Sequence, residues 1–288
     1  MTTSAVSQRL AKLEHDIGQP LLQRKGRSVR LTDAAELLVG YAERIFSVVD
    51  EAEAALESHQ GSVAGRVFVA AFSTAARGLL PSAVRTLHER HPDLRIEVSE
   101  LEPDLCIPPL MRGDIDIAIV QDWFNLPLDL SASVMRAPLL DDVVDIALPR
   151  GHRLADRPVV DLDDLLDEPW VSWPVQTVCH NWLLHTFRIH GAEPNIAHTA
   201  AEYATQFALV AAGLGVAAVP RLGRGVAPAG VHIAAVRPTL LRHVYAAWCS
   251  DAGRRATVRV TIDALSAAAK SLSEDGVVVG ELDEAVSR

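Results

Sequence analysis

Thr2-Thr3-Ser4-Ala5-Val6-Ser7-Gln8-Arg9-Leu10-Ala11-Lys12-Leu13-Glu14, followed by Gly18-Gln19-Pro20-Leu21-Leu22 and Arg24-Lys25-Gly26-Arg27, is the stretch from which the rest of the chain can be placed. Val6, Leu10, Leu13 and Ile17 recur at spacings of four, three and four, one apolar stripe of an amphipathic helix. The opposite face carries Ser4, Gln8, Ala11, Lys12 and His15, with no acid among them. Such a face suits a major groove, because Gln can pair with adenine, Lys with guanine, and Ala can touch a thymine methyl. It reads as a recognition helix, with Thr3, Ser4, Ser7, Gln8 and Lys12 as candidate DNA contacts.

Gln19 to Leu31 reads as two short strands, Leu21–Gln23 and Ser28–Leu31, around a turn at Lys25-Gly26. Arg24, Lys25, Arg27 and Arg30 cluster at its tip, as a wing that grips phosphate requires. Residues 1 to 31 carry six cations against two acids; with the chain at −10, this segment at +4 leaves −14 for the remainder. Positive charge is concentrated where DNA would lie.

The run Ser4-Ala5-Val6-Ser7-Gln8-Arg9-Leu10 through Leu13-Glu14, then Gly18-x-Pro20-Leu21-Leu22 and Arg30-Leu31-Thr32-x-Ala34, resembles the LysR-type transcriptional regulators from recognition helix to linker. With the features below, the resemblance covers nearly the whole chain. It implies two further helices ahead of the recognition helix; at about 11 residues each plus a short turn, roughly 25 residues precede Met1 in the family pattern. Two explanations follow: Met1 is an internal methionine of a longer protein, which the unpartnered stripe Val6, Leu10, Leu13 favours, or the chain begins there. The second would leave an N-terminally truncated effector-binding and dimerising protein with impaired DNA binding, which a shift assay against an N-terminally extended chain would reveal.

Hydrophobic content of 49% and charged content of 22% are ordinary for a globular protein, and 288 residues hold two modest domains with appendages. No stretch approaches 18 uninterrupted apolar residues and the start lacks a signal-peptide pattern, so no membrane partner and a cytoplasmic location are expected. Cys106, Cys179 and Cys249 are odd in number and scattered, indicating neither a disulfide framework nor a zinc site. His180, His185 and His190, spaced by five, fall on different helix faces, and His88-Glu89-Arg90-His91 lacks zincin spacing; no metal or cofactor is expected.

From Asp33 to about Ser58 one long helix is predicted, capped by Thr32-Asp33, its apolar residues Leu37, Tyr41, Ile45, Val48, Ala52 and Ala55 stepping by three or four. Its 26 residues span about 39 Å, and a second copy of itself is the economical way to bury the stripe. The resemblance makes this the dimerising linker helix and implies a homo-oligomer, a tetramer on promoters. Packing on its own domain is the alternative.

Beyond the break Gln60-Gly61-Ser62-Val63-Ala64-Gly65, strand and helix patterns alternate. Arg66–Phe72, a helix to about Arg90, Leu94–Glu100, a short helix ending at Gly113 and Ile115–Val120 give βαβαβ, a parallel sheet covered by helices. Pro108-Pro109 should shorten the middle helix. A second set follows: strand Val143–Leu148, helix Leu162–Leu166, strand Trp170–Trp173, helix Val178–Ile189, strand Asn195–Thr199, helix Ala204–Ala212 and strand Val216–Val219. A strand His243–Cys249 and a helix Arg254–Leu272 then return to the first.

The fold expected is therefore α/β: a partial winged helix-turn-helix (1–31), a linker helix (32–60), a two-lobed effector domain resembling the periplasmic-binding-protein fold (61–272; lobe 1, 66–141 and 244–272; lobe 2, 142–243) and an acidic tail (273–288). Ligands of such sheets bind beyond the carboxyl ends of strands, at helix starts. Three turns qualify: Ser73-Thr74-Ala75, Pro174-Val175-Gln176-Thr177 and Ala201-Glu202-Tyr203, with Gln121-Asp122-Trp123 beside them. The resemblance places a small-molecule effector between the lobes near the first two. Ser73, Thr74, Asp122, Gln176, Thr177 and Glu202 are the candidate contacts, although hydroxyls at helix starts also serve simply as caps. Gly213-x-Gly215 lies between helix and strand, the wrong order for a dinucleotide fingerprint. Cys179 lies near a helix start, where a thiol pKa can fall, but a buried small side chain is the favoured reading. No catalytic constellation has motif-level spacing, so an enzyme is not expected.

Overall fold

A computed structural model describes residues 3–25, 28–59 and 63–274. The chain divides after Glu53 into two compact units. The first begins with α1 (Thr3–Ile17), followed by the antiparallel hairpin β1 (Leu22–Lys25) and β2 (Ser28–Leu31), with Gln23 opposite Arg30. Glu14 ties helix to hairpin, its carboxylate accepting the backbone N–H of Leu21 at 2.7 Å and of Leu22 at 3.1 Å. Thr32 does the same one element later: its hydroxyl donates to Pro20 O at 2.8 Å and accepts from Ala35 N at 3.2 Å, a cap worth about 1 kcal/mol. The capped helix is α2 (Asp33–His59), in which Leu37, Ile45 and Val48 are 65, 63 and 60% exposed. Ala55, the last residue of the expected stripe, has no described side chain.

The second unit contains β3 (Gly65–Ala71), α3 (Ser73–Gly78), α4 (Leu80–Arg90), β4 (Leu94–Glu100), α5 (Pro103–Arg112), β5 (Ile117–Trp123) and β6 (Val134–Pro149). The helix expected to run to about Arg90 is thus two helices; Pro81 in the first turn of α4 supplies no N–H to continue the preceding one. There follow β7 (Val159–Asp161), a 3-10 turn at Leu162–Leu165, β8 (Pro169–Ser172), α6 (Val178–Ile189), β9 (Asn195–Thr199), α7 (Tyr203–Ala211), β10 (Ala217–Pro220), β11 (Val231–Arg237), β12 (Leu240–Cys249) and α8 (Ala256–Glu274). The tail beyond Glu274 lies outside the described residues.

One eight-stranded sheet, ordered β4-β3-β5-β12-β6-β11-β7 with β10 also on β6, runs through the unit; β8 and β9 pair separately. β3, β4 and β5 are parallel, while β12 runs antiparallel to β5 and β6. On one side of the β3 sheet Leu87 of α4 and Leu265 of α8 pack with Val67, Val69 and Leu140. On the other, Cys106 and Leu110 of α5 pack with Ala70 and Val120. A separate core gathers Val144, Ile146 and Leu148 with Trp182, Phe187 and Phe207. β6 therefore leaves one lobe for the other between Leu140 and Val144, and β12 crosses between Leu240 and Val244.

Candidate functional site

Asp142 and Arg242 occupy these two crossings and face each other in the β6–β12 register. Alternation along β12 turns Leu240, Arg242 and Val244 inward, so the guanidinium is 1% exposed and its partner Asp142 0%. A buried charge persists only when paired and hydrogen-bonded. Arg242 Nε donates to Asp142 Oδ2 at 2.7 Å and Nη2 lies 2.6 Å from the same oxygen. Nη2 also donates to Thr74 Oγ1 at 2.7 Å, and Nη1 to Gln121 Oε1. The Phe72 ring lies 5.0 Å from the guanidinium carbon. Burial is the largest single effect on the Arg242 pKa and lowers it, but Asp142, Tyr203 and Cys179 together raise it above the ordinary arginine value and the group stays charged. Asp142 Oδ1 accepts Leu222 N at 2.9 Å, so one ion pair joins the start of α3, the end of β5, both crossing strands and the loop after β10.

Gln121 extends this cluster from one lobe to the other, its Nε2 lying 3.1 Å from Cys179 Sγ in α6. Asn125 bonds Thr186 of the same helix at 3.1 Å, and Trp123 stacks on Trp182 with ring centroids 3.6 Å apart. Trp173 packs edge-on to both Trp182 and Tyr203. Burial first, with Glu102 and Asp104 adding, pushes the Cys179 thiol up to about 12 although Arg242 and Gln121 pull the other way. The start of α6 therefore does not activate it. From lobe 1, Glu102 lies within electrostatic reach of the cluster: burial raises its pKa, Arg242 opposes, and Asp104 and Glu100 raise it further. Asp104 is raised by burial and lowered by the Val178 N–H at the start of α6.

Of the residues expected at the effector site, Thr74 is in the cluster and Ser73 is half-buried beside it. Thr177 spends its hydroxyl as the cap of α6, donating to Pro174 O at 2.8 Å and accepting from His180 N at 3.3 Å. Gln176 is exposed in a left-handed backbone conformation, φ 73°, and the exposed Glu202 accepts from Thr205 at 3.2 Å. Asp122 must be corrected: it is turned away from Gln121, toward Leu128 N at 3.2 Å and the Tyr245 hydroxyl at 3.4 Å. Neighbours on a strand point to opposite faces, so Gln121 and Asp122 could not both line one cleft. Arg242 and Asp142 were missed, and the inward position of a charged residue in the apolar alternation of β12 was the available signal. Among the described residues, no three or more His, Cys, Asp or Glu side chains are placed to hold a metal.

In the first unit Ser7, Gln8, Ala11, Lys12 and His15 of α1 are all exposed, as is Arg30 of β2. Thr3 and Ser4 lie in α1 and Arg24 and Lys25 in β1, by backbone only; Arg27 lies outside the described residues. Among the described residues no helix is long and apolar enough to cross a membrane.

Residues 60–270 match the family description "LysR substrate binding domain", and residues 1–36 match "Bacterial regulatory helix-turn-helix protein, lysR family". The uncharacterised HTH-type transcriptional regulator YnfL of Escherichia coli is 33% identical over 75% of this chain and 72% of its own. The HTH-type transcriptional regulator AlsR of Bacillus subtilis is 29% identical over 76% of this chain and 72% of its own. A full-length OxyR variant of Pseudomonas aeruginosa, substituted at one cysteine, shares the fold, with TM-score 0.69 and 23% identity over 92% of this chain and 89% of that one.

Proposed function

The chain belongs to the LysR-type transcriptional regulators, ligand-responsive proteins that bind DNA, and on that premise we propose which of its residues do the work. Gln8 and Lys12, with Thr3, Ser4 and Ser7, read base edges from α1, and Arg30 with Arg24, Lys25 and Arg27 holds phosphate. The observation that carries this is the exposed, acid-free polar face of α1 followed by the cationic hairpin. The exposed Leu37, Ile45 and Val48 of α2 are covered by a second copy of the helix, and the protein works as an oligomer in the cytoplasm. Its role is regulatory rather than catalytic. The small effector enters between the lobes, where Thr74 and Gln121 meet Arg242, with Ser73, Gln176, Thr177 and Glu202 around them.

Duplexes selected from a randomised pool by the full-length protein give the test. Gln8→Ala should relax the preference at one base position, a loss of about 1–3 kcal/mol of discrimination, whereas Arg30→Ala should weaken all duplexes alike. Retention of the parent's affinity and selectivity by both variants would show that the contact surface lies elsewhere.

A further inference from the structure

The eight-stranded sheet ends at β4, whose partner among the described residues is β3, so its other edge presents backbone N–H and C=O groups to whatever lies beside it. Val98 on this strand is 47% exposed. Between β4 and α4 runs an open groove of about 440 Å3, lined from the helix by Val84, Arg85 and His88 and from the strand by Leu94, Arg95 and Ile96. Its base is apolar, and its charge is of one sign. Arg95 is answered by Glu97 at 3.3 Å, and the same carboxylate lies 3.7 Å from Arg66. Arg85 and His88 are exposed and, among the described residues, have neither a hydrogen bond nor an ion pair.

An edge and a groove of this kind suit a segment that is extended, partly apolar and acidic. The chain carries such a segment directly after α8: Gly276-Val277-Val278-Val279-Gly280-Glu281-Leu282-Asp283-Glu284. Valine is among the residues most enriched in strands. Residues 275–288 hold four acids, Asp275, Glu281, Asp283 and Glu284, against the single cation Arg288. The segment also starts close by, because Ala268, Ala269 and Leu272 of α8 share a core with Ala83 and Leu87 of α4. At about 3.3 Å per residue, Glu281 can lie up to about 23 Å from the end of α8. That is enough to pass one helix about 10–12 Å across.

We propose that Val277–Glu284 lies along the free edge of β4 as an added strand, with its carboxylates on Arg85 and His88. Backbone hydrogen bonds to β4 supply most of the holding, and the acids select this edge through charge-assisted bonds to the two unpaired cations. The tether makes weak pairing sufficient. At an effective concentration of about 1 mM, an intrinsic affinity of about 0.1 mM leaves the strand in place about nine-tenths of the time. An occupied edge is closed to strand pairing with other chains.

Hydrogen exchange followed by mass spectrometry on the full-length chain tests this. In the wild type, peptides covering 94–100 and 277–284 should exchange up to about tenfold more slowly than in the triple variant Glu281→Gln, Asp283→Asn, Glu284→Gln. The helix Val178–Ile189 should exchange equally in both and serves as the internal reference for folding. Arg85→Glu should lose the same protection, and adding Glu281→Lys and Asp283→Lys to it should restore protection. Raising the protein concentration tenfold should change none of these rates. Exchange of 277–284 at the rate of a free peptide, or equal protection in the wild type and the triple variant, overturns the proposal. Protection of 94–100 that grows with protein concentration overturns it as well, since a second copy of the chain then covers the edge.

Discussion

Replacing Gly223 by alanine should strain the contact between α3 and the loop that follows β10. Gly223 has φ +63°, and a Cβ built on it would lie 2.4 Å from Thr74 O and 3.1 Å from Gly78 N. Two costs add: the left-handed conformation, about 1–2 kcal/mol for a residue with a Cβ, and overpacking against backbone, about 1–3 kcal/mol. The sum is about 2–5 kcal/mol of unfolding free energy. Gly225 separates the two terms, because its φ is +72° and nothing lies within 4 Å of the added Cβ; Gly225→Ala should cost the conformational part only. Gly78 tests the reverse case: its φ is not left-handed, but its Cβ would meet Gly223 N at 2.7 Å. The five tryptophans, Trp123, Trp170, Trp173, Trp182 and Trp248, all lie in the second unit, so urea unfolding followed by fluorescence reports on it. If Gly223→Ala proves no more destabilising than Gly225→Ala, the close approach of the loop to α3 does not hold in solution.

Glu102→Gln should stabilise the second unit at neutral pH. The folded pKa of Glu102 is raised, by burial first and then by Asp104 and Glu100 against Arg242, so its contribution is fully present below the unfolded carboxylate range and is lost as pH rises through the folded value. The gain from Gln should therefore fade as urea midpoints are measured from pH 7 down to about pH 4, near the ordinary Glu value; a gain independent of pH would contradict the cause given. Thr177→Ala should cost about 1 kcal/mol as a lost helix cap, read as a lower urea midpoint of the second unit; an unchanged midpoint would contradict the capping role of the hydroxyl.

Local pattern made much of the architecture legible. The apolar runs of β3 and β5 and the helix Val178–Ile189 stand where periodicity placed them, because their apolar residues are buried in the cores, while β4, of which only Leu94 is buried, is held by its parallel pairing with β3. β6 was read only from Val143, since Pro138 interrupts the run; in the fold Pro138 pairs with Tyr245 at a register shift, where a missing N–H is tolerated. β11 was not read, its apolar stretch being short and preceded by a Gly- and Pro-rich loop. The site was only half legible for a different reason. Thr74 announces itself at a helix start, but its partner Arg242 is 168 residues away, and Gln121 and Asp142 lie 121 and 100 residues from Arg242. No window of sequence contains such a cluster. What the strand alternation does contain is the parity that separates Gln121 from Asp122 and turns Arg242 inward.

The measurement closest to the centre of this account is the salt dependence of binding to a selected duplex by the wild type and by Arg30→Ala. Log affinity should fall linearly with log salt, and losing one phosphate contact should make the slope shallower by about 0.9 without changing which duplexes are preferred. A slope identical in the two proteins would contradict the assignment of the hairpin to the DNA backbone, and with it the orientation given to α1.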